Sequence, residues 1–315
     1  MRCRPAGDTW SIGVQLTVVY EGGMVGSFWQ AVGFGVVTAA IVGLSAVALN
    51  LQFGVTNFPN FAHGEFLTVG AYTAFAMQHF STNLAVDALA GSAAGAILGY
   101  VMNRFAFQPF MRKGKRVILL LVVSAAVSQI IEDVIPIIFG QNNVVFQTPT
   151  QVARHYGPFL WTTLDIQVIV ASAISVALLH AVLHYTSFGR AQRAAADDTT
   201  LARITGINTS RVISATWLIT GALAGLAGVA LAATVGSFNS LLGFNFLLVT
   251  FAAGIIGGIG SSVGAILGAI VIGLITEITG FYLSSGYKQE FALLALAAFL
   301  FIRPQGILAP LQAAE

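Results

Sequence analysis

Residues 57 to 65 read NFPNFAHGE and lie between the apolar runs VTAAIVGLSAVAL and FLTVGAYTAFAM. Asn57, Asn60, His63 and Glu65 put two amides, an imidazole and a carboxylate into one short stretch, where Pro59 and Gly64 interrupt a helix. The set offers hydrogen-bond donors, acceptors and an ionisable pair. Non-helical backbone at membrane depth must be buried in protein or line a water-filled cavity. Transporters place broken helices where free backbone groups and helix ends meet a substrate's charges. The stretch therefore has two readings: a polar break facing a translocation path, or a turn at the membrane surface with its side chains in water.

Bond-making chemistry finds little support elsewhere. There is no G-x-x-x-x-G-K-[ST] loop for nucleotide phosphates and no H-E-x-x-H metal motif. His180 and His184 are four residues apart and share a helical face, but no carboxylate stands at a ligand-like spacing. They read as interfacial polar residues, and neither a metal nor a cofactor is expected. Cys3 is the only cysteine, which excludes a disulfide framework and a thiolate metal site. Glu132, Asp133 and Glu277 fall toward the outer ends of apolar runs, where they reach water or mark a pathway.

The elements that hold these residues follow from composition. With 57% hydrophobic and 8% charged residues and a mean hydropathy of +0.84, the chain is far from the ~25% charge of soluble domains and reads as an all-α, polytopic membrane protein. A net charge of +2 does not suggest a nucleic-acid surface. Runs long enough to span lie at roughly 30–51, 61–80, 84–105, 117–139, 164–186 and 212–234. The stretch 246–283 holds two short spans or a re-entrant element and one span, divided at GGIGSS, residues 257 to 262. A last run, 291–302, is short enough to need tilt or thinning. The sum is eight or nine crossings in one membrane domain, 30–303, between an N-terminal interfacial segment, 1–29, and a C-terminal tail, 304–315. Lysine and arginine concentrate at 104–116 and 187–211, which places both loops in the cytoplasm and the N-terminus outside.

The loop 187–211 carries its own helical signals. Asp197 or Asp198 can cap a short amphipathic helix, Leu201 and Ile204 share one face, Gly206 supplies a left-handed stop, and Thr209 can cap the next span. This is either a connector on the membrane surface or a docking knob for another protein. Gly254 and Gly258, then Gly260, Gly264 and Gly268, are spaced four apart, as are Gly221 and Gly225, a pattern for close helix packing.

NFAHGEFLTVGAYT (60–73), GRAQRAAADDTTLARITGINTSRVI (189–213), GGIGSSVGAILGAIVIGLITE (257–277) and RPQGIL (303–308) together resemble the permease subunits of branched-chain amino acid ABC importers. The resemblance spans about residues 30 to 310. It implies a bacterial inner-membrane subunit that is not an enzyme, with ATP hydrolysed elsewhere. It further implies two ABC ATPase subunits, a homologous permease partner, an extracytoplasmic substrate-binding protein and surrounding membrane lipid. The family's coupling loop corresponds to 189–208, with Asp197, Ala202, Gly206 and Ile207 at the matching positions. LNLQFG (49–54) is similar to one of the family's two paired permease types and NFAHGE to the other. Related importers carry urea, short amides or other amino acids. The rival from another class is a secondary transporter coupled to an ion through Glu65, Glu132 or Glu277, which would call for an inverted repeat that is not evident.

Overall fold

A computed structural model describes residues 24–81, 83–112, 117–148, 151–303 and 305–308. Most of the interfacial segment expected at 1–29, most of the tail at 304–315 and the basic residues Lys113, Lys115 and Arg116 lie outside the described residues. Residues 24–29 already belong to the first helix.

The chain runs through α1 (Met24–Thr56), α2 (His63–Met77), α3 (Leu84–Val101), a π-helical turn (Met102–Phe107) and α4 (Gln108–Arg112). It continues through α5 (Val117–Phe139), β1 (Val144–Val145), β2 (Arg154–Tyr156), β3 (Phe159–Trp161), α6 (Thr163–Tyr185), α7 (Ser187–Asp197) and α8 (Thr199–Ile204). Then come α9 (Thr209–Val235), β4 (Ser237–Phe238), α10 (Leu242–Gly257), α11 (Ser262–Tyr282), a 3-10 turn (Ser285–Tyr287) and α12 (Lys288–Ile302). Among the described residues, six helical stretches are long and apolar enough to cross a membrane: Phe28–Thr56, Leu84–Met111, Val117–Phe139, Thr163–Tyr185, Thr209–Val235 and Ser262–Tyr282. The helices α2, α10 and α12 have 15 or 16 residues, which makes each about 22–24 Å long, short of the ~30 Å hydrocarbon core. The break expected at 257–262 is present between α10 and α11.

Local signals set the ends. Asn83 caps α3 by accepting from the Ala85 amide at 3.0 Å, and Thr162 with Asp165 forms a reciprocal capping box on α6. The cap of α9 is Asn208, which accepts from Arg211 N at 3.1 Å, not Thr209. Thr209 is the first helical residue, and its hydroxyl instead takes a hydrogen bond from the Arg203 guanidinium at 2.9 Å.

Glycine seams bring the helices together. Gly91, Gly95 and Gly99 on α3 face Gly221, Gly225 and the Trp217 backbone on α9, so closely that a Cβ at any of these glycines would overlap the opposite main chain or a side chain. Gly264 and Gly268 meet Gly257 and Ala253 across α10 and α11, and Gly254 faces the Asn50 side chain. Gly258 and Gly260 depart from the expected stripe. Both lie in the turn between α10 and α11 with φ of 106° and 84°, values that glycine adopts without a steric penalty. In the core, Trp217 packs on Phe107 with ring centroids 4.8 Å apart and on Phe66 at 6.3 Å. At the end of the bundle away from α7 and α8, β1 pairs with β4, and the β2–β3 hairpin packs on α1 through Trp161 Nε1 donating to Gly33 O.

Candidate functional site

Two places collect the polar residues singled out above. The first is the junction of α1 and α2. After α1 ends at Thr56, Asn57 takes φ +54°, the one positive φ at a non-glycine among the described residues, in a region that asparagine tolerates. Its side chain is exposed, whereas Phe58 is fully buried and turns the chain inward. Asn60 is buried, accepts from the Ala62 amide at 3.1 Å and reaches Gln52 Oε1 at 3.5 Å. This closes a local turn from which α2 starts. Gly64 does not interrupt the helix as expected. It lies in the first turn of α2 and meets Gly243 in the first turn of α10, main chain against main chain. The Gly243 amide donates to Thr68 Oγ1 at 3.1 Å. Two short helices thus begin at one point, held there because neither glycine has a side chain.

His63 and Glu65 are both fully buried, but they do not pair with each other. His63 Nε2 lies 3.3 Å from Ser45 Oγ and 3.2 Å from Ser45 O, and Thr250 Oγ1 donates to Ser45 Oγ at 3.2 Å. Glu65 Oε1 accepts from Ser128 Oγ at 3.0 Å. His63 Nδ1, Glu65 Oε2 and Gln52 Nε2 are buried without a protein partner, an arrangement that costs free energy unless something polar comes to them. The junction therefore joins α1, α2, α5 and α10 through polar contacts with capacity to spare. None of Asn57, Asn60, His63 and Glu65 lines either of two cavities, of about 630 and 730 Å³, at the far end of the bundle. Sequence reasoning missed Ser45, Ser128 and Thr250. Ser124 and Ser128 four apart on α5 were the available signal, with Ser124 Oγ accepting from the Phe61 amide at 3.3 Å.

The other acidic candidates resolve differently. Glu277 is held by Lys288 Nζ at 2.7 Å and by Thr38 Oγ1 at 2.8 Å, a clasp joining α1, α11 and the start of α12. Asp133 is exposed, 3.5 Å from the Gln129 amide, and Glu132 is half-buried beside it. His180 and His184 lie with ring centroids 4.2 Å apart and planes tilted by 38°, and no group of three or more metal-ligating side chains occurs among the described residues. Gly260 to Gly264 spells G-x-S-x-G, but it runs from the α10–α11 turn into the first turn of α11, with Ser261 the cap and Ser262 the first helical residue, and is not the strand-to-helix turn of a nucleophile elbow.

The second place is the α7–α8 segment, two helices where one was expected. Thr186 caps α7 by accepting from Gly189 N at 3.2 Å, Gly189 presses on the Leu183 backbone, and Arg193 donates to Leu183 O. These contacts fix α7 against the end of α6. Asp197 is the exposed last residue of α7, and Asp198 is the cap of α8, accepting from Thr200 N at 2.6 Å and Leu201 N at 3.0 Å. The backbone amides of Leu201 and Thr200 hold the Asp198 carboxyl below its ordinary 3.8. Ala202 is buried, Ile207 is half-buried and donates through its amide to Ala202 O at 2.9 Å, and Gly206 takes φ +88°. Leu201 and Ile204 are left 61% and 78% exposed, an apolar pair on a capped turn that none of the described residues covers.

A sequence profile described as the permease component of the branched-chain amino acid transport system matches residues 31–303. The chain is 30% identical over 295 residues to the high-affinity branched-chain amino acid transport system permease protein LivH of Escherichia coli K12, covering 89% of this chain and 95% of that protein. It is 29% identical over 290 residues to the permease protein BraD of Pseudomonas aeruginosa, covering 87% and 93%. To LivM of Escherichia coli K12 it is 28% identical, covering 83% of this chain but 66% of LivM. No solved structure matches the chain.

Proposed function

The chain belongs to the family of branched-chain amino acid transport permease components, and from that premise we propose that it forms the path by which branched-chain, hydrophobic amino acids enter the cell. It is a multi-pass inner-membrane permease subunit of an importer. In our reading it pairs with a second permease of the LivM type and is driven by two ATPase subunits. An extracytoplasmic binding protein delivers the substrate, and this chain performs no chemistry itself. The α7–α8 segment is the dock through which ATPase motion reaches the helices, with Leu201 and Ile204 as its apolar contact and Asp197, Asp198, Ala202, Gly206 and Ile207 shaping it. In the same reading the junction of Asn57, Asn60, His63 and Glu65 borders the path, and the meeting of α2 and α10 on Gly64 and Gly243 supports it.

The observation that carries this reading is the extent of the likeness: the relatives named as branched-chain amino acid permeases are matched nearly end to end. The test is ATP-dependent uptake into proteoliposomes holding the full set of subunits and binding protein. Leucine, isoleucine and valine should accumulate, and urea and acetamide should neither accumulate nor compete. Accumulation of urea or an amide in place of leucine would reassign the substrate within the same family.

A further inference from the structure

The outward side of α5 carries polar groups that neither the proposed path nor the dock uses. Gln129, Glu132 and Asp133 lie on it, the first and last exposed and Glu132 half-buried. The helix has 23 residues, about 34 Å at ~1.5 Å per residue, so it little more than crosses a hydrocarbon core of ~30 Å. Ser128 is its midpoint. Gln129 stands next to that midpoint, and Asp133 is one and a half turns further on, about 7.5 Å along the axis. Asp133 therefore lies about 7 Å inside the hydrocarbon boundary, too deep for a carboxylate on a single methylene to reach water. Ionisable groups at such depth face protein or a water-filled space, not lipid tails. The exposed sides of α3 and α12 differ: Leu89, Ala93 and Ile97 on the one and Leu293, Leu294 and Ala297 on the other suit lipid.

What this side of α5 lacks is donors. Gln129 Nε2 is turned to the Asp133 carboxylate, 3.5 Å from each oxygen, and Glu132 and Asp133 form no ion pair among the described residues. Pro136 lies inside α5 and has no N–H, which leaves the Glu132 carbonyl, one turn earlier on the same side, without its helical partner. Freed carbonyls of this kind in membranes are satisfied by neighbouring helices. Glu65 Oε2, fully buried and unpartnered, is within electrostatic reach of Glu132, so the surplus of acceptors extends through the helix. Within this chain α5 packs chiefly on α2 and the π-helical turn, and buried Ser124 and Ser128 are on the packed side. We propose that the Gln129, Glu132 and Asp133 side of α5 is the seam at which the second permease packs, and that this partner brings a hydrogen-bond-donating side chain, basic or amide, to the depth of Asp133. The inference rests on the pairing proposed above and adds the surface. A second copy of this chain does not fit, because a two-fold axis on that side would set acid against acid.

The test is photocrosslinking in the complete transporter in its membrane. A diazirine-bearing residue is placed at Val122 or Ala125, exposed positions on the same side of α5, and at Ile97 on α3 or Leu294 on α12 as controls. The α5 positions should give an adduct with the second permease, identified by mass, and the control positions adducts with lipid alone. In parallel, Gln129→Leu with Asp133→Leu should lower the second permease recovered with this chain about ten-fold, the worth of one or two interhelical hydrogen bonds, while the chain by itself still inserts and stays monodisperse. The crosslinks decide where that variant does not insert. Adducts with the partner from α3 or α12 in place of α5, only lipid or no adduct from α5, an adduct with a second copy of this chain, or undiminished recovery of the partner by the double leucine variant would each overturn the seam. If the native chain recovers no second permease at all, the pairing itself is overturned and the seam with it.

Discussion

Replacing Gly95 by alanine sets helix propensity against packing, and the α3–α9 seam decides the outcome. A methyl group at Gly95 would overlap the Gly221 carbonyl and lie 2.9 Å from Gly225 Cα and 3.1 Å from Gly225 N. Ordinary carbon contacts are ~3.5–4.0 Å, so α9 must withdraw by about 1 Å along a seam that Gly91 and Gly99 also hold tight. Such overpacking costs about 1–3 kcal/mol, against a gain of ~0.8–1 kcal/mol in helix propensity. Gly43 on α1 is the matched control: its methyl would meet only Ala269 Cβ, at an ordinary 3.5 Å. Gly43→Ala should keep the propensity gain, so the two variants should differ by about 1–3 kcal/mol with Gly95→Ala the less stable. Thermal unfolding in detergent, followed by the loss of monodisperse protein, measures that difference. Equal midpoints, or a Gly95→Ala protein more stable than Gly43→Ala, would refute the claim that main-chain contact across glycine holds these helices.

Other expectations concern the two candidate regions. The lowered Asp198 carboxyl contributes to α8 fully above its ordinary 3.8, and that contribution is lost as pH falls through the folded-state value. Protection of the Thr200 and Leu201 amides from hydrogen exchange, taken relative to the intrinsic rate at each pH, should therefore fall in acid in the native chain and be absent at all pH values in Asp198→Ala. Asp198→Asn, which retains a capping oxygen, should abolish the pH dependence and keep the protection. Glu65→Gln preserves the shape of a fully buried side chain but removes its capacity to ionise, so uptake should fall while assembly stays intact; unchanged uptake would remove the junction from the path. Cysteines placed at Gln147 and Asp198, at opposite ends of the bundle, should differ in intact cells: the first reacts with a membrane-impermeant reagent and the second does not.

Much of this architecture was legible in the sequence because a hydrocarbon solvent imposes length and composition on each helix. The runs near 117–139 and 164–186 match α5 and α6 almost to the residue. The left-handed stop at Gly206 was legible because one glycine stood alone there, whereas N-caps were ambiguous where two candidates adjoined. Asp197 and Asp198 have the same chemistry, and only the backbone path shows that Asp198 faces the free amides of α8. The Asn208–Thr209 pair misled for the same reason. Glycine spacing identified the α9 side of its seam but not that α3 supplies the other half, because a seam is a property of two helices and the sequence shows each alone. Gly258 and Gly260 fit a four-residue period by coincidence, since their role is positive φ. Partners distant in sequence, such as Ser128 on Glu65 or Lys288 on Glu277, carry no local signal.

The central claim is that this permease is moved by separate ATPases through α7 and α8. Leu201 and Ile204 are 61% and 78% exposed, so seating both in a groove is worth roughly 1.5–3 kcal/mol for each side chain fully buried. Introducing Leu201→Asp with Ile204→Asp leaves in place the Asp198 cap, the buried Ala202 and the Gly206 turn that shape the loop. The direct measurement is leucine uptake together with ATPase retention by the purified double variant. The expected result is a normally inserted chain with no uptake, whose ATPases are released or no longer respond to loaded binding protein. Normal uptake by a well-inserted double variant would contradict the account.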